Sequence, residues 1–256
     1  PTPNAWDTFN QTDLYFSILV DGYQGRSQWQ ITNDPVQADN KVFQTRVLDV
    51  GKENKNGRAQ AQFMMYNDRE SYSVYRVRYR QFISEDYRLL ADLTSFGNSE
   101  HWTDFFEVWS PVPEQQEPVM NEAGAFRIHF AFQPDLKGGF EWSLGGENMC
   151  GTEEEVWQGW SRTNASYEVP FGKWCEWEVY IALGPDPKTD PESPARVIVN
   201  MRPEGEQEWV TLFDVRDERT VHSRIAQKGL YQYSPFKNYL GPQTVRHLLD
   251  RGAQNI

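Results

Sequence analysis

Phe126-Arg127-Ile128-His129-Phe130-Ala131-Phe132 alternates apolar and polar side chains with period two, the pattern of a strand buried on one face. Phe126, Ile128, Phe130 and Phe132 share the apolar face, so Arg127 and His129 point the other way. Short segments of the same kind recur at residues 41–50, 74–82, 175–183, 196–201 and 209–215. Stretches rich in Gly, Pro and polar residues read as loops at 51–57, 111–124, 145–155 and 184–194. Helical patterning is confined to residues 85–93 and 243–251. In the second, Val245, Leu248 and Leu249 form an apolar stripe and Gly252 stands where a helix stops. Many strands and few short helices in 256 residues predict an all-β fold: one domain over 1–256, a jelly-roll sandwich of two antiparallel sheets. Phe126, Ile128, Phe130, Val179, Val197, Val199 and Phe213 are the expected core face.

Composition narrows the partners. Aromatic residues make up 14% of the chain, with ten Trp, twelve Tyr and fifteen Phe, although mean hydropathy is −0.74. That excess on a polar chain suits a β protein with aromatic side chains on its surface as well as in its core. A formal net charge of −12 has the wrong sign for general binding to nucleic acid or to an anionic membrane. An anionic sugar polymer stays open, because a local group of Arg in a cleft overrides the global sign. No stretch approaches the roughly 20 apolar residues that span a bilayer. Cys150 and Cys175 are either one disulfide or two buried thiols. Asn10-Gln11-Thr12 and Asn164-Ala165-Ser166 fit the glycosylation sequon, and a secreted location, extracellular or periplasmic, is expected.

Four patterns bear on chemistry. In Trp102-Thr103-Asp104-Phe105-Phe106-Glu107-Val108-Trp109, regular alternation puts Phe105, Glu107 and Trp109 on one face. An indole stacks on a pyranose ring while a carboxylate accepts its hydroxyl protons, so Glu107 and Trp109 are candidates for sugar binding, with Trp160 as a second groove indole. Arg76, Arg78 and Arg80 line one face of a strand about 7 Å apart. They form either a track for repeated carboxylates or a solvated face paired with acidic neighbours. Arg127 and His129 offer a cation and a proton acceptor side by side. Residues 228–239 gather Tyr231, Tyr233 and Tyr239 with Lys228 and Lys237. His101, His222 and His247 make no metal-binding spacing. The chain lacks HExxH, paired CxxC, Walker, GxGxxG and GxSxG motifs.

The ordered landmarks resemble those of the heparin lyase I-like and glucuronan lyase-like polysaccharide lyases. They are Asn56-Gly57-Arg58-Ala59-Gln60, Ile83-Ser84-Glu85-Asp86-Tyr87, Trp102 with Phe106-Glu107-Val108-Trp109, Phe126-Arg127-Ile128, Trp160 with Asn164, Val169-Pro170-Phe171-Gly172-Lys173-Trp174, Trp177-Glu178-Val179-Tyr180, Phe213-Asp214-Val215 and Pro235-Phe236-Lys237-Asn238-Tyr239. The resemblance implies a concanavalin A-like jelly roll and β-elimination on a uronic acid polymer. Such a lyase neutralises the substrate carboxylate, removes the C5 proton with a base and protonates the leaving O4. A late Lys followed closely by Tyr belongs to the family's active site, which points to Lys237 with Tyr239 or to Lys228 with Tyr231. The first pair enters one strand face, with Tyr239 as acid/base, Lys237 as neutraliser and His129 across the groove. No cofactor is required, a structural calcium ion is compatible, and a monomer is expected.

Two other readings start from the same residues. A glycoside hydrolase on the same sandwich would use Asp104, Glu107 or Glu141. It needs two carboxyl groups across one bond, and the odd spacing of Asp104 and Glu107 puts them on opposite faces of a regular strand. A non-catalytic carbohydrate-binding protein would use the aromatic groove alone.

Overall fold

The computed structural model describes residues 14–20, 27–49, 57–65, 73–93, 101–110, 125–135, 137–152, 154–223, 232–254 and 256. The strands, in chain order, are β1 (Leu14–Val20), β2 (Ser27–Asn33), β3 (Lys41–Val47), β4 (Gly57–Met65), β5 (Val74–Phe82), β6 (Thr103–Asp104), β7 (Phe106–Ser110), β8 (Phe126–Pro134), β9 (Phe140–Asn148), β10 (Gly159–Asn164), β11 (Trp174–Ala182), β12 (Arg196–Pro203), β13 (Val210–Val215) and β14 (Gln232–Leu240). A 3-10 turn, Glu85–Leu90, and one α-helix, α1 (Pro242–Asp250), accompany them. The larger sheet has eight strands ordered β1-β4-β14-β7-β8-β9-β10, with β6 pairing β14. The smaller has four, β13-β12-β11-β5, and β2 and β3 pair separately. The pairings within these sheets are antiparallel.

The two main sheets pack face to face through aromatic side chains, as the all-β sandwich expectation requires. Tyr79 of β5 stacks on Phe106 of β7, and Trp177 of β11 meets Phe105, Phe130 and Trp142. All seven expected core residues are buried. Helix α1 seals one end with Val245 and Leu248 and stops at Gly252, whose φ is +85°. Cys150 and Cys175 are free buried thiols. The Asn164 amide nitrogen donates to the Leu212 carbonyl at 2.7 Å, inside the protein's own hydrogen bonding. Among the described residues no helix is long and apolar enough to cross a membrane.

Two expectations change here. Residues 145–148 are not loop but the end of β9. Gly145 and Gly146 are there because side chains lie on both faces of the strand: a Cβ on Gly146 would fall 2.6 Å from the Trp160 ring, and one on Gly145 2.4 Å from His129 Nε2. Glycine inside a strand here marks close approach, not a turn.

The arginine strand is the second. Tyr79 points inward, so Arg76, Arg78 and Arg80 lie on the outer face of the smaller sheet, across the core from Glu107 and His129. Arg76 pairs with Glu178 at 2.6 Å, Arg78 with Glu176 at 3.4 Å and Arg80 with Glu204 at 3.2 Å. Neighbouring strand β11 supplies the first two carboxylates, each two positions along from the residue directly opposite its arginine. This is the acid-paired solvated face, so the three arginines do not belong to a substrate cleft built around Glu107, Trp109 and His129.

Candidate active site

The outer face of the larger sheet carries a cluster that regular alternation does not predict. Phe105 and Phe106 both turn into the core: Phe105 packs on Phe130 with ring centroids 4.8 Å apart, and Phe106 on Tyr79. Phe105 falls between β6 and β7. Its N–H donates to the Phe130 carbonyl at 3.3 Å while Phe106 itself pairs with Phe130. One extra residue on the strand is a bulge, and it shifts the parity of everything beyond it. Asp104 and Glu107 therefore emerge on the same face, and both meet the Lys237 ammonium of β14. Phe105 is thus not a groove residue beside Glu107 and Trp109.

Buried charges demand partners, and this cluster supplies them in a chain. Lys237, 3% exposed, hydrogen-bonds Glu107 and lies 3.9 Å from Asp104 Oδ2. Arg127 Nη1 donates to Glu107 Oε1 at 3.0 Å, and the same guanidinium binds Glu147. Burial alone would raise the Glu107 carboxyl; the Lys237 ammonium and the Arg127 guanidinium reverse this and hold it below the usual range. Burial likewise acts against ionised Asp104, and the His129 hydrogen bond with the charges of His129, Lys237 and Arg127 outweighs it, so its pKa is lowered. Burial pulls the Lys237 pKa down against the pull of both carboxylates.

An ionised Asp104 can only accept a hydrogen bond, so the contact at 3.2 Å from His129 Nδ1 to Asp104 Oδ1 places the proton on Nδ1. In the neutral imidazole the lone pair then belongs to Nε2, which lies over Gly145 on β9. Around it the outer face is built of small residues: Ala131, Ser143, Gly145 and Ser161 occupy register positions that a larger side chain would fill. Gly145→Ala should push the imidazole off Asp104, read as a shift of the His129 ring resonances in NMR with far-ultraviolet circular dichroism unchanged; unshifted resonances would show that the ring does not depend on this glycine.

Of the residues expected at the site, the structure brings together His129, Lys237, Glu107, Arg127 and Tyr239. Lys237 Nζ lies 4.7 Å from the Tyr239 ring centroid, and Trp102 packs edge-on against the same ring at 5.7 Å. Tyr239 stands directly across from Asp104 in the β14–β6 register. Lys237, Glu107 and Arg127 are turned inward to one another, which corrects their expected roles: their charges are used internally and not offered to a substrate. Trp109 is 6% exposed and lies against Arg127; Trp160 sits on the inner face, its Nε1–H donating to the Arg219 carbonyl at 2.7 Å. Both indoles are packing residues, not groove walls. Tyr231 and Lys228 lie outside the described residues. Asp104, the group that orients His129, was visible only as a hydrolase candidate, and the consecutive Phe105-Phe106 between two acids was the sign of the bulge.

A cavity of 580 Å³ opens between the β2–β3 pair and the sandwich, with Asp104 and Lys237 in one wall. Its other conspicuous acid, Asp34, is already spent: it accepts from Trp174 Nε1 at 2.9 Å, Val36 N at 2.8 Å and Asn40 Nδ2 at 3.0 Å. Among the described residues no group of three or more His, Cys, Asp or Glu is placed to hold a metal ion.

No family model matches the chain, and no curated protein matches its sequence. Among solved structures the chain is similar to alginate lyase vAL-1 from Chlorella virus, at 9% identity and a TM-score of 0.40, with 89% of each chain covered.

Proposed function

We propose that this protein is a secreted, cofactor-independent polysaccharide lyase that cleaves a uronic-acid polymer by β-elimination. The observation that carries the reading is the Asp104–His129 pair, with Nε2 over a face of small residues and Tyr239 the register partner of Asp104. His129 Nε2 takes the C5 proton, the C4–O4 bond breaks as the C4=C5 bond forms, and the Tyr239 hydroxyl gives its proton to O4. The step is redox-neutral and consumes no water. Two cations, Lys237 and Arg127, face three carboxylates, Asp104, Glu107 and Glu147. A proton arriving on His129 is therefore met by a countercharge already in place. Neutralising the substrate carboxylate falls to other groups.

The hydrolase reading gains geometry and loses electrostatics. The bulge does bring Asp104 and Glu107 to one face, but both pKa values are lowered. A glycosidase needs one carboxyl group that keeps its proton.

Glucuronan, alginate and heparin, each incubated with the protein, are to be followed by the ultraviolet absorbance of the unsaturated uronate end. Tyr239→Phe, which removes one oxygen and little packing, should abolish that signal while polymer binding and folding persist. New reducing ends without the chromophore would mean hydrolysis. Binding with neither product would leave a carbohydrate-binding protein.

A further inference from the structure

Among the described residues Trp157 is the one non-glycine residue in the left-handed backbone region, at φ +69°. It is the third residue of the turn over 155–158, closed by Gln158 N–H donating to the Glu155 carbonyl at 3.0 Å. It also opens a bulge just ahead of β10. Trp157 N–H donates to the Asn148 carbonyl and Asn148 N–H to the Gln158 carbonyl, each at 2.9 Å, so two residues oppose one. Both motifs favour glycine, or asparagine, at this place. A bulky residue there is strained, and burial of its side chain would be the ordinary compensation. The Trp157 indole is instead 52% exposed, with the Arg127 guanidinium 5.6 Å from its ring.

We propose that Trp157 is a sugar-stacking platform, a subsite in which the free face of the indole binds the C–H face of one pyranose ring of the polymer. The proposal rests on the lyase reading and extends its site. Arg127 lies between two indoles, with buried Trp109 5.9 Å away. Glu107 and Glu147 clamp its guanidinium, which fixes where Trp157 stands. Arg127 and His129 are two positions apart on β8, about 7 Å, so the platform lies beside the reacting bond and on the same face. An uncharged indole against a charge-balanced arginine suits the apolar face of a sugar better than its carboxylate. A local rule broken with no gain in packing is what a functional demand on that position produces.

The test compares wild type with Trp157→Gly and Trp157→Asn, both at home in left-handed backbone. Thermal unfolding is measured alongside retardation in gels containing glucuronan, alginate or heparin and alongside KM and kcat on the polymer cleaved. Tm should hold or rise by about 2–4 °C, while retardation weakens and KM rises about tenfold with kcat nearly unchanged. A Tm several degrees lower would make the indole a packing residue and end the proposal, as would unchanged KM and retardation in a wild type that cleaves. A wild type that is retarded without forming product, with variants retarded less, would keep the platform and discard the lyase. A wild type that neither binds nor cleaves overturns both.

Discussion

His129→Gln is expected to lower kcat by about 10²–10⁴-fold, with thermal unfolding and polymer retardation close to wild type. Glutamine can still donate to Asp104 but has no basic nitrogen to receive the C5 proton in the proposed elimination. Asp104→Asn should produce a loss of the same order by another route. The Asn amide can donate to Nδ1 and draw the imidazole into the tautomer with its proton on Nε2, where the lone pair is needed. Because Asp104 also faces Lys237, the unfolding of this variant has to be measured alongside its rate. A His129→Gln enzyme that turns over within a few-fold of wild type would remove His129 from the chemistry and leave the cluster as an ion network.

The largest effect on stability is expected from Lys237→Met. It leaves Asp104 and Glu107 buried on one face without the ammonium between them, and breaking a buried pair in this way costs about 3–5 kcal/mol, a fall in Tm of roughly 6–20 °C. Glu107→Gln should cost less, because Lys237 keeps Asp104 and Arg127 keeps Glu147. The double variant Lys237→Met/Glu107→Leu should recover part of the loss, since Glu107 is then gone and only Asp104, which keeps His129, is left without the ammonium. The pH dependence carries a sign. Both carboxyl groups are held below their ordinary pKa values in the folded protein. Their contribution is therefore complete above about pH 4.5, the unfolded range, and is lost as pH falls through the lower folded values. In Lys237→Met burial is less opposed and favours the protonated acids, so mild acid should stabilise the variant while it does nothing for wild type. Parallel acid curves for the two proteins would refute the arrangement.

Much of the architecture was legible because alternation is a local property. The seven expected core residues all lie between the sheets, and α1 begins one residue before and ends one before its expected bounds. The site was legible only in pieces. His129 and Tyr239 could be chosen by residue type, and the shared face of Lys237 and Tyr239 by their spacing of two. Arg76, Arg78 and Arg80 misled because their alternation was genuine: which outer face they line depends on which sheet β5 joins, and that is a matter of pairing partners far away in sequence. Trp109 and Trp160 misled because an indole suits a core and a sugar equally well.

By itself the sequence determined that the chain would form strands with a one-sided apolar face, enough of them to close a sandwich, and that histidine, tyrosine and lysine would stand on polar faces. Period two is set by the backbone of each strand alone, so it needs no knowledge of neighbours. Tertiary structure alone decided which polar groups meet. One bulge at Phe105 moved Asp104 to the side of Glu107, Lys237 and His129, and two strand glycines left room for His129 and Trp160. The core admitted both Phe105 and Phe106 because two sheets lay ready to bury them. Packing, not local pattern, thus set the parity on which the site depends.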